Sequence, residues 1–237
     1  MTELQGSLAE RREEFDTHFA LALALEGRIV AGEVVSIGET ELSARHLMTI
    51  KSGLVVHLYN VVESIMSRTI ETVGGAVGGV PPNDWSEKAL REWLRRYAAV
   101  GIDGSEDTRL ETIHGASQNL LSGEALGPQS FKKPSGTWSD KLIARFADRL
   151  GVSFHLPPEM WGRIKARPEY GDKTPMEFLA GRRNELAHGR RSFEDGARDM
   201  TLPEIRELSD ITLDYLELAV HAFQAYVDNR HYMAATP

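Results

Sequence analysis

Between Glu41 and Val77, the residues Leu47, Ile50, Leu54, Val55, Leu58, Val61, Val62, Ile65, Met66 and Ile70 return every three or four positions. That spacing draws one wide apolar stripe down a long helix, and a helix so striped must be largely buried against others. Two further amphipathic stretches run from about Thr2 to Glu26 and from Leu202 to about Tyr232, the last with Pro203 in its first turn, where proline is tolerated. Shorter helices are expected at Ser86 to Ala98, Asp107 to Leu121, Ser139 to Leu150, Pro158 to Lys165 and Pro175 to His188. Breaks rich in glycine and proline fall at Gly74 to Pro82, Gly101 to Gly104, Gly127 to Gly136 and Ala166 to Lys173. The credible strands are short, Arg28 to Ile37 and Val152 to Leu156. The expected class is all-α or mainly α, a helical bundle with long core helices and at most a small β element. We read residues 1–237 as a single domain in which about 80 to 156 form a helical insertion or subdomain.

Composition narrows the function classes. The chain has 41% hydrophobic and 26% charged residues, which suits an ordinary globular protein. It has no cysteine, so disulfides, thiolate metal sites and cysteine nucleophiles are excluded. The apolar run Phe19 to Leu25 is too short for a bilayer and follows acidic residues, so neither a signal peptide nor a membrane span is expected, and a cytoplasmic location is. The eight histidines include no His-x3-His pair, so no metal site is expected, and no cofactor is implied. The segment Val73-Gly-Gly-Ala-Val-Gly-Gly-Val80 lacks the Gly-Lys-Ser/Thr ending of a phosphate loop and reads as a release of the chain after the long helix. Trp85, Trp93 and Tyr97 have helical spacing and read as packing before base stacking. His57, among apolar residues, reads as a satisfied core histidine.

The net charge of −8 argues against coating nucleic acid by bulk electrostatics. Its distribution is uneven. From Arg163 to Arg191 there are eight bases against four acids, a net +4, so the remainder carries −12. A basic patch on an acidic body suits a focused anionic ligand, though a solvated basic face would read the same way.

Within that patch lies Arg183-Asn184-Glu185-Leu186-Ala187-His188-Gly189. Thr174 can cap the helix, Pro175 fits its first position, Glu177 completes a capping box and Gly189 supplies a C-terminal stop. At about 100° per residue, Asn184 and His188 share a face, whereas Arg183 and His188 lie roughly 140° and about 7.5 Å apart. They can serve one small ligand only if the arginine folds around or a second copy of the helix contributes. Arginine and histidine at this spacing mean little alone, since Arg109 and His114 repeat it; with twenty arginines and eight histidines about 0.7 such pairs arise by chance. Requiring asparagine after the arginine lowers the expectation to about 0.015, and only Arg183 passes. The alternative is a helix end at which Asn184 and His188 satisfy backbone carbonyls and Arg183 pairs with an acid.

The Arg183-Asn184-x-x-x-His188-Gly pattern before a long final helix resembles the signature of the HEPN superfamily. Tyr59-Asn60-Val61-Val62-Glu63-Ser64 and the segment from Ser135 to Gly151 are similar to the larger prokaryotic MAE-like branch. The resemblance covers about Ser43 to Tyr232, with no counterpart for the first 40 residues or for about Val80 to Gln129. It implies a core of about four helices, a homodimer, and a composite cleft in which two copies of the motif face each other. It further implies a metal-independent endoribonuclease, often a toxin or antiphage effector with an antitoxin or other defence-system partner. The alternative within the family is a noncatalytic module binding RNA or a protein.

On that reading His188 is the general acid or base, since imidazole titrates near neutrality. Arg183 binds non-bridging phosphate oxygens, and Asn184 orients phosphate or imidazole. Asn60 and Glu63, one turn apart, either hold Arg183 or His188 or form a buried network fixing helix register. Arg182 and Arg190 are weaker candidates for flanking RNA phosphates, with solvated surface as the plain alternative.

Overall fold

The structure is a computed structural model that describes residues 2–100 and 105–234. Eight α-helices and one small hairpin account, with two short 3₁₀ helices (Pro82–Asp84 and Pro168–Tyr170), for its regular structure among these residues. They are α1 (Glu3–Val30), β1 (Val35–Ile37), β2 (Thr40–Leu42), α2 (Ala44–Gly78), α3 (Glu87–Val100), α4 (Glu106–Leu121), α5 (Asp140–Leu150), α6 (Pro158–Arg163), α7 (Pro175–Ala187) and α8 (Leu202–Asp228). The all-α expectation holds, and each expected helix forms within a few residues of its reading. No helix among the described residues is long and apolar enough to cross a membrane.

The chain divides into two compact units. The first comprises Met1–Ile65, Thr137–Asp140 and Leu156–Glu217; the second comprises Met66–Gly136, Lys141–His155 and Leu218–Pro237. In the first unit α1 starts from a capping box in which Thr2 and Gln5 satisfy each other's backbone amides, as helix starts require. Phe15 and Ala22 of α1, Val55, Leu58 and Ile65 of α2, Leu179 of α7 and Leu202, Ile205 and Leu208 of α8 are wholly or almost wholly buried. Charges fasten the edges of this core. Arg206 of α8 lies over the Phe19 ring at 4.1 Å, and Asp214 receives Arg12 of α1 at 3.0 Å and Arg163 of α6 at 2.7 Å.

The second unit is built around Trp93, which packs edge-on to Trp85 and donates its indole N–H to Gln129 at 2.8 Å. Trp85 and Trp93 are buried, as their spacing suggested. Phe146 of α5 stacks with Phe223 of α8 at 5.8 Å.

Three expectations fail for identifiable reasons. The stretch from Arg28 is not strand from its start: α1 runs to Val30, Gly32 turns the chain at φ 73°, and pairing begins only at Val35 opposite Leu42. Val152 to Leu156 forms no strand, because the Val152 amide closes α5 on the Ala147 carbonyl and no ladder partner lies beside it among the described residues. The glycines after residue 73 do not release the helix. α2 continues through Gly74 and Gly78, and the segment 127–129 lies against both, with the Gln129 amide donating to Gly74 O at 3.0 Å. A Cβ at Gly74 would stand 1.8 Å from the Gln129 carbonyl oxygen and one at Gly78 would stand 1.7 Å from that of Gly127. Absence of a side chain, rather than backbone freedom, is what these positions need.

His57 is also not the satisfied core histidine expected. It packs between Phe15 and His18, yet its Nε2 is buried with no hydrogen-bond partner among the described residues. Burial pushes its pKa below 6.5; the Glu14 carboxylate works against this, and His18 and Arg11 work with it.

Two measurements follow. Gly74→Ala should lower unfolding free energy by about 1–3 kcal/mol through overpacking, despite alanine's better helix propensity. Gly75→Ala, whose Cβ meets nothing within 4 Å, should raise it by about 0.5–1 kcal/mol; denaturant titration reads both. For His57 the unfolded chain takes up its proton first, so the stability due to the neutral ring is present above pH 6.5 and is lost as pH falls through the lower folded pKa. His57→Leu should therefore melt with a flatter acid limb than the wild-type protein below that pH.

Candidate functional site

The local sequence builds α7 as a fixed platform. Thr174 and Glu177 form the reciprocal cap, Thr174 Oγ1 donates to buried Asp140 at 2.6 Å, and Pro175 occupies the first turn. At the other end His188 is the C-cap residue and Gly189 takes φ 65°, a left-handed conformation suited to glycine. The polar residues of the last two turns are thus held in one orientation relative to α2.

There Arg183 and Glu63 meet. The Arg183 Nη2 donates to Glu63 Oε2 at 3.0 Å, with 29% and 32% of the two side chains exposed. The guanidinium also lies over the Tyr59 ring at 5.1 Å, and its Nη1 donates a longer bond of 3.3 Å to Asn184 Oδ1. Asn184 turns its amide nitrogen to Thr137 Oγ1 at 3.0 Å. The Tyr59 hydroxyl accepts the Trp138 amide at 3.0 Å and bonds Glu63, and burial, then the Glu63 charge, push its pKa up to about 12. It stays a neutral phenol at any ordinary pH. Arg183, Asn184, Glu63, Tyr59 and Thr137 therefore form one connected polar cluster.

His188 stands apart from that cluster. It is exposed, its backbone amide closes α7 on Asn184 O, and among the described residues no hydrogen bond or ion pair engages its imidazole. Within one chain no hydrogen bond joins it to Arg183. Asn60 is exposed on α2 and takes no part in the cluster, although Glu63 one turn later does. Among the described residues no group of three or more carboxylates and imidazoles gathers as a metal-donor set.

The two flanking arginines differ sharply. Arg190 is exposed and unpaired among the described residues, so it remains available to an anion. Arg182 is 6% exposed and turned inward: it donates to Asp199 at 2.6 and 2.8 Å and to the Gly196 carbonyl at 2.6 Å. It fastens the loop after α7 and has no fork left for RNA. The same holds for most of the basic segment. Arg163 pairs with Asp214, Arg167 with Glu207 and Glu169, and Arg191 with Glu185 and Asp199. Acids distant in sequence neutralise the patch and leave Lys165, Lys173 and Arg190 exposed and outside any ion pair among the described residues.

Sequence reasoning did not assign Tyr59 or Thr137 to the site. Tyr59 carried a usable signal, since it lies four residues before Glu63 and so on the same helical face; Thr137 carried none, because only the fold brings it to Asn184.

Arg182→Ala should lower unfolding free energy by about 2–3 kcal/mol, having left Asp199 and the Gly196 carbonyl without their donor. Arg190→Ala should leave it within about 0.5 kcal/mol. Parallel denaturant titrations compare the two.

The family model for MAE_28990-like HEPN proteins matches residues 1–232, which takes in the first 40 residues and the 80–129 segment as well as the motif. No curated protein and no solved structure matches the chain. HEPN domains are typically ribonucleases, and the family is linked to nuclease, RNA-binding or defence-related roles. With the match spanning nearly the whole chain, this protein belongs to the MAE_28990-like HEPN family.

Proposed function

We propose that the protein is a metal-independent endoribonuclease whose active site is completed when two copies of α7 meet. The observation that carries this reading is the arrangement at the end of α7: a guanidinium held in one orientation by Glu63, Tyr59 and Asn184, and beyond it an exposed imidazole with no partner among the described residues. One is fitted to hold an anion, and the other is free to move a proton.

RNA supplies its own nucleophile. His188 takes the proton of the 2′-hydroxyl, or gives one to the departing 5′-oxygen, while the ribose oxygen attacks the adjacent phosphorus. Arg183 stabilises the charge on the non-bridging oxygens through a planar, permanently charged fork. Because Arg183 already bonds Glu63, the phosphate competes with or joins that carboxylate, and Glu63 acts as the residue that aims the guanidinium. Asn184, held by Thr137, offers an amide beside it. The products are a 2′,3′-cyclic phosphate and a 5′-hydroxyl, and DNA lacks the group that begins the reaction. A second copy supplies the histidine that one chain holds away from its own arginine, so the working unit is a homodimer.

The family's defence-related roles support a toxin or antiphage effector working in the cytoplasm under the restraint of an antitoxin or other defence-system partner. One observation favours a second reading, a noncatalytic module that binds RNA or a protein: Arg183 is already satisfied by Glu63 and needs no ligand.

Cleavage of RNA in the presence of EDTA separates the two. His188→Ala and Arg183→Ala should each lower the rate about 100-fold or more with helical CD and oligomeric mass unchanged, and a 2′-deoxy substitution at the scissile position should stop the reaction. RNA binding by an intact protein that never cleaves would favour the second reading. Wild-type rates in both variants would remove the site from these residues.

A further inference from the structure

Gly181 precedes His188 on α7 by seven residues, and an ammonium lies over it. Lys173 Nζ stands 3.8 Å from the point that a Cβ on Gly181 would occupy. At about 100° per residue, Gly181 and His188 point within about 20° of each other, and Asn184 lies about 60° to one side. Lys173 therefore reaches the face of α7 that ends in the exposed imidazole, about 10.5 Å along the helix from it by the rise per residue.

The backbone fixes where this lysine starts. Its carbonyl accepts the Arg167 amide at 3.1 Å in an isolated bridge, and the next residue, Thr174, is the N-cap of α7. From there the apolar stem follows the helix while the charged end stays in water, the usual compromise for lysine. The acids of this face are already used. Glu177, four residues before Gly181, turns its carboxylate back to the Thr174 amide at 3.2 Å, and Glu185, four residues after, receives Arg191 at 3.1 Å. Lys173 is exposed and pairs with no acid among the described residues. Two groups without a partner among these residues, the Lys173 ammonium and the His188 imidazole, thus share one edge of α7, with Arg190 two residues beyond. Lysine meets phosphate as a compact charge with three rotatable donors, so it needs no fixed angle of approach.

We propose that Lys173 binds a phosphate flanking the scissile one, on a single RNA strand laid along this edge of α7. The assignment rests on the nuclease reading of His188 and adds to it a direction for the strand. It also supplies the flanking contact that Arg182, turned inward on Asp199, cannot make.

The probe is a fluorescent single-stranded RNA of about eight nucleotides, methylated at every 2′-oxygen so that it cannot be cleaved, and read by anisotropy against the full chain over a salt series. Lys173→Ala should weaken binding about fivefold, the size of an exposed ion pair. It should also make the plot of log affinity against log salt shallower by about 0.7, the release belonging to one phosphate. Lys173→Arg should restore both. Gly181→Glu, which sets a carboxylate under the retained ammonium, should show the same loss, with CD unchanged in all three variants. A 2′-O-methyl dinucleoside monophosphate, whose one phosphate fills only the reacting position, should bind wild type and Lys173→Ala alike. Wild-type affinity and slope in Lys173→Ala, or an equal loss with the dinucleoside monophosphate, would overturn the proposal and leave the nuclease reading standing in a protein that cleaves RNA. A wild-type protein that neither binds nor cleaves RNA would remove that reading and this one with it.

Discussion

The ion pair between Arg183 and Glu63 is the interaction around which the polar cluster at the end of α7 is arranged. It joins two helices, and each partner is about two-thirds buried. In such surroundings an unpaired charge is costly, so each fixes the other's rotamer. The Tyr59 ring beneath the guanidinium adds an attraction of about 0.5–1 kcal/mol or more where water is excluded. Asn184 and Thr137 extend the network by one bond each. An arginine so held has lost its side-chain freedom before any ligand arrives, which is the physical meaning of preorganisation. Its pairing also sets a threshold: an anion gains only what it offers beyond Glu63.

The same economy of charge runs through the neighbouring segment. Counted along the sequence, residues 163–191 are basic; in space Asp214, Glu207, Asp199 and Glu63 occupy their arginines. The outcome is a scaffold of ion pairs with few cations left over, Arg190 next to the exposed His188 among them. A broad electropositive face would suit long nucleic acid held by its backbone, whereas a few remaining cations suit one phosphate at one place.

How much of this was legible depended on how local the cause was. α7 was readable to its caps because Thr174, Pro175, Glu177 and Gly189 act within one helical turn of its ends. α2 was readable from its stripe, but not its length, because Gly74 and Gly78 look like a stop until the segment 127–129 is seen against them. The Val152 strand failed because pairing needs a neighbour that composition cannot supply. Arg182 and Arg183, adjacent in sequence and identical in type, show the limit most clearly: one is buried on Asp199 and the other faces Glu63, and nothing in the local sequence separates them. Glu63 could be suspected from its helix position, whereas Thr137 becomes a neighbour of Asn184 only through the fold.

The central claim is that arginine and histidine reach one phosphate from different chains, and mixing two inactive variants tests it most directly. Arg183→Ala and His188→Ala protein, each inactive alone, are mixed in equal amounts and allowed to exchange subunits while RNA cleavage is followed. A composite site leaves one intact arginine–histidine pair in every mixed dimer, so activity should return to about a quarter of the wild-type value at statistical exchange. If subunits exchange and no activity returns, the pair acts within one chain or does not act at all, and the two-chain site is wrong.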